Sequence, residues 1–98
     1  MAREGTGKRC RLSPETAPTL DALWAALARD LDLPAHFGAN RDALWDALTG
    51  DLEGPATVVV EEAARLRAAL GSDFDAILAV LREAAAERGD LTVTVRGD

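Results

Sequence analysis

Leu33-Pro34-Ala35-His36-Phe37-Gly38-Ala39-Asn40-Arg41-Asp42-Ala43-Leu44-Trp45-Asp46-Ala47-Leu48-Thr49-Gly50 runs from a helix breaker through a loop into a short amphipathic helix. Pro34 stops the helix before it, because proline lacks the amide proton and clashes with the preceding turn. Residues 34–40, with His36, Phe37 and Gly38, read as a loop. Asn40 is suited to cap a helix over 41–50, its side-chain oxygen accepting a first-turn amide, and Gly50 is placed as the C-terminal cap. At 100° per residue Leu44 and Leu48 fall on one side with Ala47 beside them, which makes that side the core face.

The other side of this helix is unusual. Asp42, Trp45, Asp46 and Thr49 follow i, i+3, i+4, i+7 spacing, so a tryptophan is expected to project toward solvent between two aspartates and a threonine. Tryptophan is enriched at binding hot spots. Like charges four apart disfavour an isolated helix by about 0.2–0.5 kcal/mol. Asp42 has the helix dipole in its favour near the N-terminus, and Asp46 has no such compensation. A solvated surface helix explains the cluster about as well as a binding face does.

Outward from this stretch, helices and strands alternate. Thr19 is positioned to cap a helix whose Leu20, Leu23, Trp24, Leu27 and Leu31 recur at helical spacing, with Trp24 expected in the core. Cys10 and Leu12, among the basic Lys8, Arg9 and Arg11, suggest a short strand after a frayed lead-in over residues 1–7. Thr57, Val58, Val59 and Val60 form a β-branched run that reads as a buried strand. A helix over 61–70 follows, ended by Gly71. Ser72 is the expected cap of the last helix, where Asp73 and Asp75 suit the first turn and Phe74, Ile77, Leu78, Leu81 and Ala85 make the core stripe. Glu83 and Glu87 lie opposite that stripe. Leu91, Val93 and Val95 alternate with Thr92 and Thr94 in a final strand. Strands separated by helices imply parallel pairing with right-handed crossovers, hence an α/β fold with a small sheet covered by helices on one face.

Composition narrows the function classes. The 98 residues suit a single domain spanning 1–98, and 48% are apolar, which suits a packed core. Seventeen acidic against eleven basic side chains give a net charge of −6. That balance argues against nucleic acid as a direct partner and favours a basic protein, whose approach the field would steer. One cysteine and one histidine leave no disulfide and no zinc set of the usual ligands, so no metal or other cofactor is expected. No segment nears the ~18 apolar residues of a membrane span. Nor is a leader visible, and a cytoplasmic location is expected.

The run over residues 33–50 resembles the signature of the barstar family. That signature has leucine-proline, an aromatic pair, glycine, any residue and asparagine, then Asp42-Ala43-Leu44-Trp45-Asp46 and, after one residue, Leu48-Thr49-Gly50. The likeness extends over residues 8–95, through Leu81-Arg82-Glu83-Ala84 and Glu87 to the terminal strand. It implies a three-stranded parallel sheet packed against helices. It also implies one-to-one inhibition of an extracellular-type, barnase-like ribonuclease, whose phosphate-binding arginine, lysine and histidine side chains would meet helix-borne carboxylates. By the same resemblance, Asp42 and Asp46 are the main contacts, with Asp46 in a phosphate position. Thr49 and Gly50 stand at the helix end, Glu83 adds a salt link and Glu87 acts through its field. Asn40 holds the loop-to-helix corner beside Gly38, and Trp45 packs at the edge of the contact surface.

Three positions depart from the family pattern. His36 stands in place of a tyrosine that stacks into the enzyme, Arg41 replaces an apolar residue, and Asp51 replaces a tryptophan. These substitutions keep open an acidic interaction or regulatory domain of the same fold with a different basic partner. An enzyme is a third reading, since paired carboxylates do acid–base work or bind divalent metals. Against it, both carboxylate pairs sit on convex helix faces with no Gly-rich loop or nucleophile motif nearby.

Overall fold

The computed structural model describes residues 7–34 and 37–97. The chain runs β1 (Lys8–Leu12), α1 (Leu20–Asp30), α2 (Arg41–Asp46), a π-helical turn (Ala47–Asp51), β2 (Ala56–Val60), α3 (Ala63–Leu70), α4 (Ser72–Glu87) and β3 (Leu91–Val95). The three strands form one parallel sheet in the order β1-β2-β3. The expected α/β architecture, a small three-stranded parallel sheet against helices, is the one observed.

The strand register explains why one face of the sheet collects the core. Cys10, Val58 and Val93 stand side by side, as do Leu12, Val60 and Val95. They join Leu23, Leu27, Leu44, Leu48, Leu66, Phe74 and Leu81 in one hydrophobic cluster. The alternate positions are Arg9 with Thr57 and Thr92, and Arg11 with Val59 and Thr94. Arg9, Arg11 and Thr92 are exposed and Val59, though buried, lies outside the core cluster, so the helices cover a single face. Burying apolar area is the main favourable term in such a domain, at roughly 25 cal/mol per Å².

Helix boundaries follow local chemistry with three corrections. Thr19 and Asn40 cap as expected, accepting the amides of Ala22 at 3.1 Å and Ala43 at 2.8 Å. The third helix begins at Ala63 and not at residue 61. Glu61 is held by Arg11 and Arg96, Glu62 adopts a left-handed backbone, and the Ala63 and Ala64 amides donate to the carbonyls of Arg96 and Gly97. Ser72 is not a cap. It is the first residue of α4, because Gly71 alone turns the chain between α3 and α4, at a φ of 69° that disfavours any side chain. On α4 it is Ala84 that is fully buried, while Ala85 is half-buried.

The second helix departs most. Gly50 is no C-cap: α2 gives way to the π-helical turn, closed by the Leu52 amide donating to the Ala47 carbonyl at 2.7 Å. Leu44 and Leu48 are 0% exposed, as their spacing requires. Replacing Leu44 with alanine should lower the unfolding free energy by about 2–5 kcal/mol in urea titration, the usual cost of a core Leu→Ala cavity. A loss below ~1 kcal/mol would show that α2 is not anchored through this side chain.

Candidate functional site

Burial of Leu44, Ala47 and Leu48 turns the other side of α2 outward, and α4 lies alongside it. Asp42, Asp46, Thr49 and Gly50 are exposed, as are Glu83 and Glu87 on α4. Trp45 is less exposed than helical spacing alone suggests. It is half-buried against the core and floors an open groove of about 480 Å³ lined by Asn40, Arg41, Asp42, Val80 and Glu83. Periodicity gives its direction correctly, but α4 stands close enough to cover one side of the ring. Asp42 and Glu83 thus face one groove from two helices.

Asp46 lies in a second groove, lined by Pro34, Phe37, Gly38, Ala43, Ala47 and Asp51. The two aspartates of the motif therefore address adjacent grooves, with Asp51 beside Asp46. The Thr49 hydroxyl donates to the Trp45 carbonyl at 2.7 Å, so it braces the end of α2. Glu87, one turn beyond Glu83, lines neither groove. His36 lies outside the described residues.

The carboxylates of the chain divide into those held by an arginine and those that are not, and the second set includes Glu15, Asp21, Asp32, Glu53 and Asp73 as well as the site residues. Asp30, Glu61, Glu62, Asp75 and Asp90 are each held by an arginine, at 2.7–2.9 Å. Among the described residues, no hydrogen bond or ion pair engages the side chains of Asp42, Asp46, Asp51, Glu83 or Glu87. No three His, Cys, Asp or Glu among the described residues gather as a metal site requires. Cys10 is fully buried, its thiol reaching toward the Ala26 carbonyl at 3.7 Å. Burial, with the nearby Asp30 carboxylate, pushes that thiol up to about 12, which keeps it protonated and a poor nucleophile at neutral pH.

Two supports of the site escape sequence reasoning. Trp24 of α1 meets Phe37 at 6.0 Å between ring centres and 57° between planes, a tilted pair that anchors the loop before α2. Arg88, just past α4, donates from Nη1 to the carbonyls of Leu48 and Leu52, both at 2.7 Å, and forks onto the Asp90 carboxylate at 2.7 and 2.8 Å. It satisfies carbonyls that a C-cap glycine would otherwise serve. The only sequence signals were a cation at a helix end and an aspartate two residues on.

The fold and this surface define a small one-sided α/β protein with an acidic helical face. Residues 8–96 match the family described as Barstar (barnase inhibitor), and the chain belongs to the barstar family. Among curated proteins none matches it. No helix among the described residues is long and apolar enough to cross a membrane.

The Arg88 guanidinium holds the Asp90 carboxyl below its usual range. A depressed carboxyl stabilises the fold fully above the unfolded-state value, and the contribution is lost as pH falls through the folded-state value. The stability gap between wild type and Asp90→Asn should therefore be full at about pH 6 and shrink toward about pH 2, in denaturant titrations at stepped pH. A gap unchanged across that range would contradict the pairing.

Proposed function

We propose that this chain is a single-domain protein inhibitor of a barnase-like microbial guanyl-specific ribonuclease, binding one-to-one and blocking the active site without catalysis. The observation that carries the reading is the placement of Asp42 with Glu83 in one groove beside α2 and of Asp46 with Asp51 in a second, with none of the four held by a cation. Family membership supplies the partner class.

In this mechanism α2 enters the enzyme's cationic cleft. Asp46 takes the place of a substrate phosphate and accepts charge-assisted hydrogen bonds from arginine, lysine or histidine. Asp42 and Glu83, facing one groove over Trp45, accept a second cationic side chain between them. Gly38 borders the contact from the loop, Arg41 and Asn40 from the helix start, and Thr49 and Gly50 from its end. Glu87 adds to the field that steers encounter. The Asn40 cap and the buried leucines order the helix before binding, so little conformational entropy is lost on association.

A second reading keeps the surface and changes the partner. Asp51, beside Asp46 in the second groove, favours it, because a carboxylate there asks for a further cation where the family pattern has an aromatic. An acidic regulatory domain would then bind a basic protein other than a ribonuclease.

Titration of the protein into barnase, following RNA cleavage, should reach an endpoint near one-to-one. Association should slow as salt rises. Asp46→Ala should cost about 2–5 kcal/mol of binding, chiefly by leaving the enzyme's cations unpaired. No inhibition by micromolar protein, across several enzymes of this class, would overturn the ribonuclease reading in favour of the second one.

A further inference from the structure

We propose that Arg88 is a positioning residue for the acidic helix: it holds the π-helical turn Ala47–Asp51 and so sets how Asp46 and Asp51 are presented together. Asp46 and Asp51 are five residues apart, which in a continuous α-helix would place them about 140° apart around the axis. In the structure both line one groove. The wider turn makes this possible, since its Leu52 amide reaches back five residues to the Ala47 carbonyl.

A π-helical turn is rare, occurs often at functional sites, and needs outside support. Arg88 provides it from the far end of the chain. One guanidinium nitrogen bridges the carbonyls of Leu48 and Leu52, while the rest of the fork is locked by Asp90. The Arg88 side chain is only 19% exposed and lines neither groove, so it acts through the turn and not by touching a partner. Gly54 completes the arrangement, because a Cβ there would collide with the Asp90 carboxylate. The planar fork makes four bonds at once, holding the carboxylate through two nitrogens while a third reaches both carbonyls; an ammonium group has three donors on a single atom and cannot reproduce that set.

The test is Arg88→Lys, which keeps the charge, with two readouts. The first needs no partner. By NMR hydrogen exchange the Leu52 amide should exchange about tenfold faster, while Val58 in the central strand keeps its rate, as local opening without global loss requires. The second rests on the ribonuclease reading above. Arg88→Lys should weaken barnase binding about tenfold in the wild-type background and about twofold or less in the Asp46→Ala background, the coupling expected of residues that act through one another. Unchanged Leu52 exchange, or equal losses in both backgrounds, would overturn the proposal. Failure of the wild type to bind barnase would overturn the ribonuclease reading, and the Leu52 exchange would then decide the role of Arg88. If Arg88→Lys does not fold, Asp90→Asn loosens the same fork and should shift both readouts the same way by smaller factors.

Discussion

Leu44 and Leu48 have to be buried, and there is only one place to bury them. The parallel sheet carries apolar side chains on one face, so every helix competes for that face and each must show its opposite side to solvent. For α1, α3 and much of α4 the outward side is unremarkable polar surface. For α2 it is the acidic face. The direction of Asp42 and Asp46 is thus a consequence of core packing, and the core is the part of a protein least able to deform.

Packing fixes the helix's rotation but not its ends, and a helix of six residues has little stability of its own. Its two ends are closed by different means. Asn40 closes the N-terminal end locally, and the Trp24–Phe37 pair holds the loop leading into it. The C-terminal end is closed by a charged side chain from past α4, through carbonyls that would otherwise lie open. A short acidic helix held at both ends is ordered in advance of any partner. That matters because its unpaired carboxylates repel one another and gain only when cations arrive.

What the sequence makes legible tracks how local each cause is. The caps at Thr19 and Asn40 depend on residues three positions away, and both are legible. The β-branched run of β2 and the alternation in β3 announce themselves. The short basic β1 is visible only faintly, since it owes its state to pairing with β2 across more than forty residues. The π-helical turn was not legible: its cause, Arg88, lies 40 residues from Leu48. Gly50 then looks like the natural stop. Trp45 shows the same limit, because periodicity gives its heading but not the presence of Val80 and Glu83 beside it. Nor does spacing reveal that Asp42 and Asp46 open onto different grooves.

In the proposed complex the partner covers the outward side of α2, with its flanks on α4 and the π-helical turn. Backbone hydrogen exchange of the chain alone and in complex with barnase tests it most directly. New protection should appear over residues 37–52 and around Glu83, with the open sheet face at Arg9, Thr57 and Thr92 unchanged. Protection centred on that sheet face, with the α2 amides unaffected, would contradict it.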